Sequence, residues 1–218
     1  MSSPPLTPWQ FIVPVRGGTV GKTRLTHLDG QALATSQQVE LALAMALDTV
    51  TAALATDRGP VTVLTADPAV RTAMSGLGAE VLPDHGRGLN AELRAGLAEA
   101  PVVTGAVVLL GDLPTLRGDD LRRVVDEVTT VGRAFVPDWE GVGTAMVGYA
   151  PGEADRELAF GPDSAARHAA LGLAPVALDL DRVRCDVDTP RAWRRAVGLG
   201  LGPATRAARD RILSDRAT

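Results

Sequence analysis

Hydrophobic positions fall in two rhythms along this chain. Phe11-Ile12-Val13-Pro14-Val15, Val61-Thr62-Val63-Leu64-Thr65, 79–82 and 106–110 read as strands, the first buried and the last continuous, apolar and covered on both faces. Ala134-Phe135-Val136 and 145–149 continue the series, and 176–178 and 183–187 read as two more short strands. Between them the period becomes helical. Val39, Leu43, Ala46, Leu47, Val50 and Leu54 share one face of a helix predicted to run to about Ala55. Thr35 is its expected N-cap, with Gln38 at N3 of a capping box. Asp67-Pro68 and Thr189-Pro190 are cap-then-proline pairs that open two more helices. Further helices are predicted over 89–100, 118–131 and 203–213, and another after the loop 160–164, through His168 and Leu171.

Strands alternating with helices predict an α/β domain with a mainly parallel sheet and right-handed crossovers. Ligands of such sheets bind at the carboxyl ends of the strands. The loop after the first strand, Thr65-Ala66-Asp67, Gly111-Asp112 and Asp186-Val187-Asp188 all lie at such ends. No repeat, low-complexity tract or linker interrupts the pattern. The expectation is one domain over 9–213, with an extended or disordered N-terminus over 1–8 and a tail over 214–218.

Composition removes several classes of function. The chain has 218 residues and a net charge of −4, and no basic run or basic-aromatic patch, so a nucleic-acid partner is not expected. One cysteine, Cys185, excludes an intrachain disulfide. Residues 1–8 lack both a charged segment and a long apolar stretch, and no apolar run reaches spanning length. A soluble, cytoplasmic protein without a membrane partner is expected.

The candidate chemistry is carboxylate chemistry. Val107-Val108-Leu109-Leu110 runs into Gly111-Asp112-Leu113-Pro114, and Val183-Arg184-Cys185 runs into Asp186-Val187-Asp188-Thr189-Pro190. If both are strands, three aspartates meet at one sheet edge, with Asp186 and Asp188 on one side about 7 Å apart. Such a cluster is costly unless a cation neutralises it, and oxygen-only ligands suit magnesium, which serves phosphate substrates. Two ions could activate an attacking phosphate and stabilise leaving pyrophosphate. Taken singly, Asp112 could be a turn residue and Asp188 a helix cap; Asp186 interrupts an apolar run.

The loop Arg16-Gly17-Gly18-Thr19-Val20-Gly21-Lys22-Thr23-Arg24-Leu25 follows the first strand. Its spacing is wrong for a Walker A motif, which needs four residues between the first glycine and Gly-Lys. A phosphate loop of the nucleotidyltransferase kind remains, with Gly18 allowing close approach of backbone amides and Lys22 and Arg24 adding charge. A plain basic turn is the alternative. In Phe160-Gly161-Pro162-Asp163-Ser164-Ala165-Ala166-Arg167-His168, Ser164 is either a helix N-cap or an anion ligand. His168 reads as a packed or surface histidine.

Six segments in order carry a resemblance: Lys22-Thr23-Arg24-Leu25, Gly111-Asp112-Leu113-Pro114, Gly143-Thr144-Ala145, Phe160-Gly161-Pro162-Asp163-Ser164, Arg184 to Pro190, and Leu199-Gly200-Leu201-Gly202-Pro203-Ala204-Thr205. Together they resemble the phosphoenolpyruvate/2-phospholactate guanylyltransferases of deazaflavin (coenzyme F-420) biosynthesis, in their actinobacterial form. The resemblance implies a single-domain, Rossmann-like nucleotidyltransferase fold similar to the molybdenum-cofactor guanylyltransferases, with helices flanking a mixed, mainly parallel sheet. It implies GTP as co-substrate, magnesium in two ions, and phosphoenolpyruvate or 2-phospholactate as acceptor. It matches Asp112, Asp186 and Asp188 to metal-binding carboxylates, and Thr144, Gly161 and Ser164 to positions that hold the phospho-acid. Lys22, Gly18, Arg24, Asp112 and Asn90 fall on the nucleotide side, Asn90 toward the base. Lys22, Asp112, Asp186 and Asp188 would carry the catalysis. The first loop is richer in glycine than the family pattern. Monomer or homodimer, and contact with the next enzyme of the pathway, stay open. So does the rival reading, an enzyme of this fold with 3-phosphoglycerate, a molybdopterin or a sugar phosphate as acceptor. A P-loop regulatory protein and an inactive interaction module are the remaining alternatives.

Overall fold

Phe11 and Val13 face one side of the first strand and Ile12 the other, and this alternation sorts the core into layers. The computed structural model describes residues 8–17 and 25–215. Along the chain, β1 (Trp9–Pro14) precedes a hairpin, β2 (His27–Leu28) and β3 (Gln31–Ala32), and then α1 (Thr35–Leu54). Next come β4 (Val61–Thr65), α2 (Pro68–Gly76), β5 (Glu80–Pro83), α3 (Leu89–Glu99) and β6 (Gly105–Leu109). The second half holds α4 (Gly118–Val131), β7 (Arg133–Pro137), β8 (Thr144–Tyr149), α5 (Ser164–Ala170), β9 (Ala174–Pro175), α6 (Pro190–Leu199) and α7 (Pro203–Ser214).

Seven strands form one sheet in the order β5-β4-β1-β6-β8-β7-β9. β1 pairs in parallel with β4 and β6, β4 with β5, and β7 with β9. β8 runs against both its neighbours. The reason is the short connection after β7: a few residues can join antiparallel strands, whereas a parallel crossover needs a dozen or more. One face, with Phe11, Val13, Val63, Val107 and Leu109, packs under α1, α2 and α4. The other, with Ile12, Leu64, Val108, Val147 and Tyr149, packs against α3 and α5 through Leu93, Leu97 and Ala165.

A third apolar layer lies beyond α1. Leu41, Ala44 and Met45 of α1 meet Trp193 and Ala196 of α6, Ala208 and Ile212 of α7, and Leu25 and Leu28. The single apolar face expected for α1 is thus incomplete: Ala46 and Val50 face the sheet, and the reverse side is buried too. Its start also differs. Ala34 is the N-cap, and Gln37, at N3, accepts the Ala34 backbone N–H through Oε1 at 3.0 Å. The two cap-then-proline pairs stand as expected: Asp67 accepts from the Ala69 and Val70 amides, and Thr189 from the Ala192 amide. The β2–β3 turn, Asp29-Gly30, has φ of 47° and 85°, the signs of a type I′ hairpin turn.

The strands expected over 176–178 and 183–187 are absent. Residues 181–183 form a single 3-10 turn, and the chain from 184 to 189 is irregular. Its polar groups are engaged elsewhere: Arg182 makes a bidentate bridge to the buried Asp120 of α4, and its carbonyl accepts from Thr115 Oγ1. No described helix is long and apolar enough to cross a membrane.

Asp48 joins the outer layer to the rest. This buried residue of α1 accepts the Ala204 and Thr205 amides at 3.0 and 2.8 Å, capping α7 from another helix. Asp48→Ala leaves those amides unpaired in a buried place, and should cost about 1–3 kcal/mol. A denaturant midpoint lowered at unchanged m-value would check this.

Candidate active site

The carboxyl end of β6 delivers Gly111-Asp112-Leu113-Pro114 to the sheet edge. Thr49 of α1 fixes this turn, accepting the Leu113 amide at 3.1 Å. The Val187 N–H donates to the Asp112 carbonyl at 2.9 Å, so Asp186 and Asp188 flank a residue bonded to Asp112. The three aspartates come together through this backbone bond and not through a shared strand edge, which corrects the expected geometry.

Their electrostatics are those of crowded carboxylates. Burial pushes the Asp112 carboxyl up to about 6, with Asp188 adding to the rise. Burial, then the charges of Asp112, Asp138 and Asp188, push Asp186 up to about 8. Asp112 Oδ1 is buried and has no hydrogen-bond partner. Among the described residues no three His, Cys, Asp or Glu side chains are arranged to hold a metal ion together. The donor chemistry nonetheless fits a divalent cation: oxygen ligands only, an orphaned carboxylate oxygen, and mutual repulsion that a positive charge would relieve. Cys185, next to Asp186, is raised to about 12 by burial, so its thiol is an inert packing group.

Asp138 was not singled out from the sequence, although Pro137-Asp138 ends a predicted strand as Leu110-Gly111-Asp112 does. Its carboxylate accepts the Val142 and Gly143 amides at 3.0 and 2.8 Å and shapes the β7–β8 turn. Gly143 has no room for a side chain there, since a Cβ would lie 2.4 Å from Asp138 Oδ2. Arg184 ties the irregular segment to the same turn, donating through Nε to the Pro137 carbonyl and through Nη2 to that of Asp138.

Thr144 opens β8 directly after this turn and is buried. Its Oγ1 lies 2.9 Å from His168 Nδ1. Ser164 is buried and is the first helical residue of α5, not its cap. Asp163, at φ 53°, holds the cap position without a side-chain bond, and the Ala165 amide is satisfied by the Val142 carbonyl. Gly161 has φ +123°, a backbone that L side chains rarely adopt. Asn90, expected toward the base, clamps Phe160: Nδ2 donates to the Phe160 carbonyl and Oδ1 accepts its amide, both at 2.9 Å. One amide hydrogen and one lone pair are left for any base contact.

Gly18, Lys22 and Arg24 lie outside the described residues. Gly17, near the start of that loop, sits against the cap of α2: a Cβ on it would fall 1.9 Å from Asp67 Oδ2. Val15, Gly17, Val39, Leu43, Asp67 and Val70 line a small cleft beside it, at the carboxyl ends of β1 and β4.

Comparison with known proteins agrees with this architecture. The MobA-like NTP transferase domain matches residues 36–175. A phosphoenolpyruvate guanylyltransferase of Streptomyces coelicolor is 42% identical over 94% of this chain and 97% of its own. Another, of Streptosporangium roseum, is 41% identical over 94% of this chain and 91% of its own. A Mycobacterium tuberculosis protein solved in complex with manganese is 26% identical, with a TM-score of 0.54 over 88% of this chain and 98% of its own.

Proposed function

Because the chain belongs to the MobA-like NTP transferases and, within them, to the phosphoenolpyruvate guanylyltransferase family, we propose that it transfers GMP from GTP to phosphoenolpyruvate. A phosphate oxygen of the acceptor attacks the α-phosphorus of GTP, the bond from that phosphorus to the bridging oxygen breaks, and pyrophosphate leaves. The product is enolpyruvyl-diphospho-guanosine, whose three-carbon phosphate unit serves deazaflavin coenzyme F-420 biosynthesis. The observation that carries this reading is Asp112, after the carboxyl end of β6, with its orphaned buried oxygen beside Asp186 and Asp188, in a chain so similar to these enzymes.

The attacking oxygen is ionised at neutral pH, so the reaction needs no side-chain general base. That agrees with Cys185 and His168 both being held neutral by burial. Positioning and charge neutralisation do the rest. Asp112, Asp186 and Asp188 would hold magnesium, which when bound would offset the charge of the triphosphate and of departing pyrophosphate. Thr144, Gly161 and Ser164 hold the phospho-acid. Gly18, Lys22 and Arg24 meet the nucleotide phosphates, and Asn90 the base side.

The test is pyrophosphate release with magnesium, with phosphoenolpyruvate, 2-phospholactate and 3-phosphoglycerate offered in parallel. Release with GTP and phosphoenolpyruvate, and not with ATP, is expected. Release only with another acceptor would reassign the substrate within the fold. Silence with all three would sink the phospho-acid reading.

A further inference from the structure

His168 is fully buried, on α5, beneath the site. Phe160 meets its ring edge-on at 5.2 Å between centroids, and Phe135 lies at 5.9 Å. Both ring nitrogens have partners. The Ala159 amide donates to Nε2 at 3.0 Å, and Nδ1 lies 2.9 Å from Thr144 Oγ1.

The Ala159 contact decides the tautomer. A backbone N–H can only donate, so Nε2 must offer a lone pair. Burial pushes His168 down to about 4, so the ring is neutral at working pH and its one proton sits on Nδ1. The Ser164 backbone, one turn earlier, works against that fall, and burial outweighs it. Nδ1–H therefore donates to Thr144 Oγ1. The Thr144 hydroxyl hydrogen cannot return to a nitrogen that already carries one, and is left to point elsewhere. With the opposite tautomer, Thr144 would donate to the ring and turn only lone pairs outward, which an anionic acceptor would meet as repulsion.

The segment carrying Ala159 is itself fixed. Asn90 holds Phe160 by two bonds, Arg94 Nη2 donates to the Leu158 carbonyl at 2.9 Å, and Tyr149 donates to the Glu157 carbonyl. The acceptor state of Nε2 is thus imposed by backbone that α3 and β8 hold in place.

We propose that His168 is a positioning residue, whose Nδ1–H fixes the Thr144 hydroxyl as a committed donor to an anionic oxygen of the phospho-acid. This rests on the reading of Thr144 as a phospho-acid contact. The relay favours an acceptor oxygen without a hydrogen of its own, a carboxylate or phosphate oxygen, over a hydroxyl presented as donor.

Two substitutions separate the two nitrogens. In His168→Asn the amide NH2 falls near Nδ1, and in His168→Gln the side-chain oxygen falls near Nε2. Steady-state rates are measured with phosphoenolpyruvate and GTP varied separately, alongside melting temperatures. His168→Gln keeps a partner for Ala159 but loses the donor to Thr144. It should raise the KM for phosphoenolpyruvate about tenfold, the scale of one bond to a charged group, with the KM for GTP within about twofold. His168→Asn should restore most of that loss. In a Thr144→Val background, His168→Gln should add nothing further. Multiplying effects, or parallel rises in both KM values, would overturn the relay and leave the reading of Thr144 standing. A normal phosphoenolpyruvate KM in Thr144→Val would instead sink that reading and the relay with it. Should a variant fail to fold, the wild-type imidazole 15N spectrum decides: a protonated Nδ1 and bare Nε2 are expected, and a protonated Nε2 refutes the proposal. The signals of the exposed His27 and His85 are identified by substituting each in turn.

Discussion

Asp112→Asn should lower the rate of pyrophosphate release by about three orders of magnitude, a loss of some 4 kcal/mol of transition-state stabilisation. It should do so without unfolding the protein. Asp112 Oδ1 is buried with no partner, and the carboxyl is held above its ordinary range by burial and by Asp188. Its charge therefore burdens the fold, and an isosteric neutral amide relieves that burden while removing an anionic ligand. Measured without divalent cation, the melting temperature of the variant at pH 8 should match or exceed that of the wild type. Asp188→Ala should abolish turnover in the same way. A variant that is equally unstable and inactive would make Asp112 a structural residue, and near-normal turnover with magnesium in Asp188→Ala would remove the metal assignment.

The second large effect is on stability against pH. Asp186 has a folded-state pKa raised to about 8, far above its unfolded value. A raised carboxyl favours folding while protonated, so its contribution is complete at low pH and is lost as pH rises through about 8. His168 has the opposite sign: its pKa falls to about 4, so its contribution is lost as pH drops from about 6.5 toward 4. Between pH 4 and 6.5 the two oppose each other, and above 6.5 the carboxylates act alone. Without divalent cation, stability should fall by at most about 2 kcal/mol from pH 6.5 to 8. Magnesium or manganese should reverse the trend, raising the melting temperature more at pH 8 than at pH 6.5, because binding must displace the proton on Asp186. A metal-induced shift independent of pH would contradict this account.

The parts of the fold that local chemistry decides were open to reading. Residues 118–131 form a helix as their spacing predicts, because Leu121, Val124, Val125 and Val128 repeat at helical intervals and face one core. Asp67-Pro68 and Thr189-Pro190 start helices as predicted, because capping needs only the next few residues. What failed depended on distant partners. Residues 183–187 looked like a strand because Val183, Cys185 and Val187 are buried, but the burial comes from different layers, and the backbone is claimed by Asp112. The second buried face of α1 needs α7, more than a hundred residues later. Asp29-Gly30, by contrast, is a hairpin signal carried by two adjacent residues. At the site, Asp112, Asp186 and Asp188 could be found as acids ending apolar runs. Asp138 gave the same signal and went unremarked. The partnership of His168 with Thr144 and Ala159 exists only once β8, α5 and the chain before Gly161 have met.

The docking of α7 on the outer face of α1 has a consequence for synthesis. α1 exposes Leu41, Ala44 and Met45 until α7, more than a hundred residues later in the chain, arrives to cover them. The final turns of α7 are still inside the ribosome when the sheet has already emerged. Until α7 has emerged, the nascent chain therefore carries a sticky apolar stripe, open to chaperones and to neighbouring chains alike.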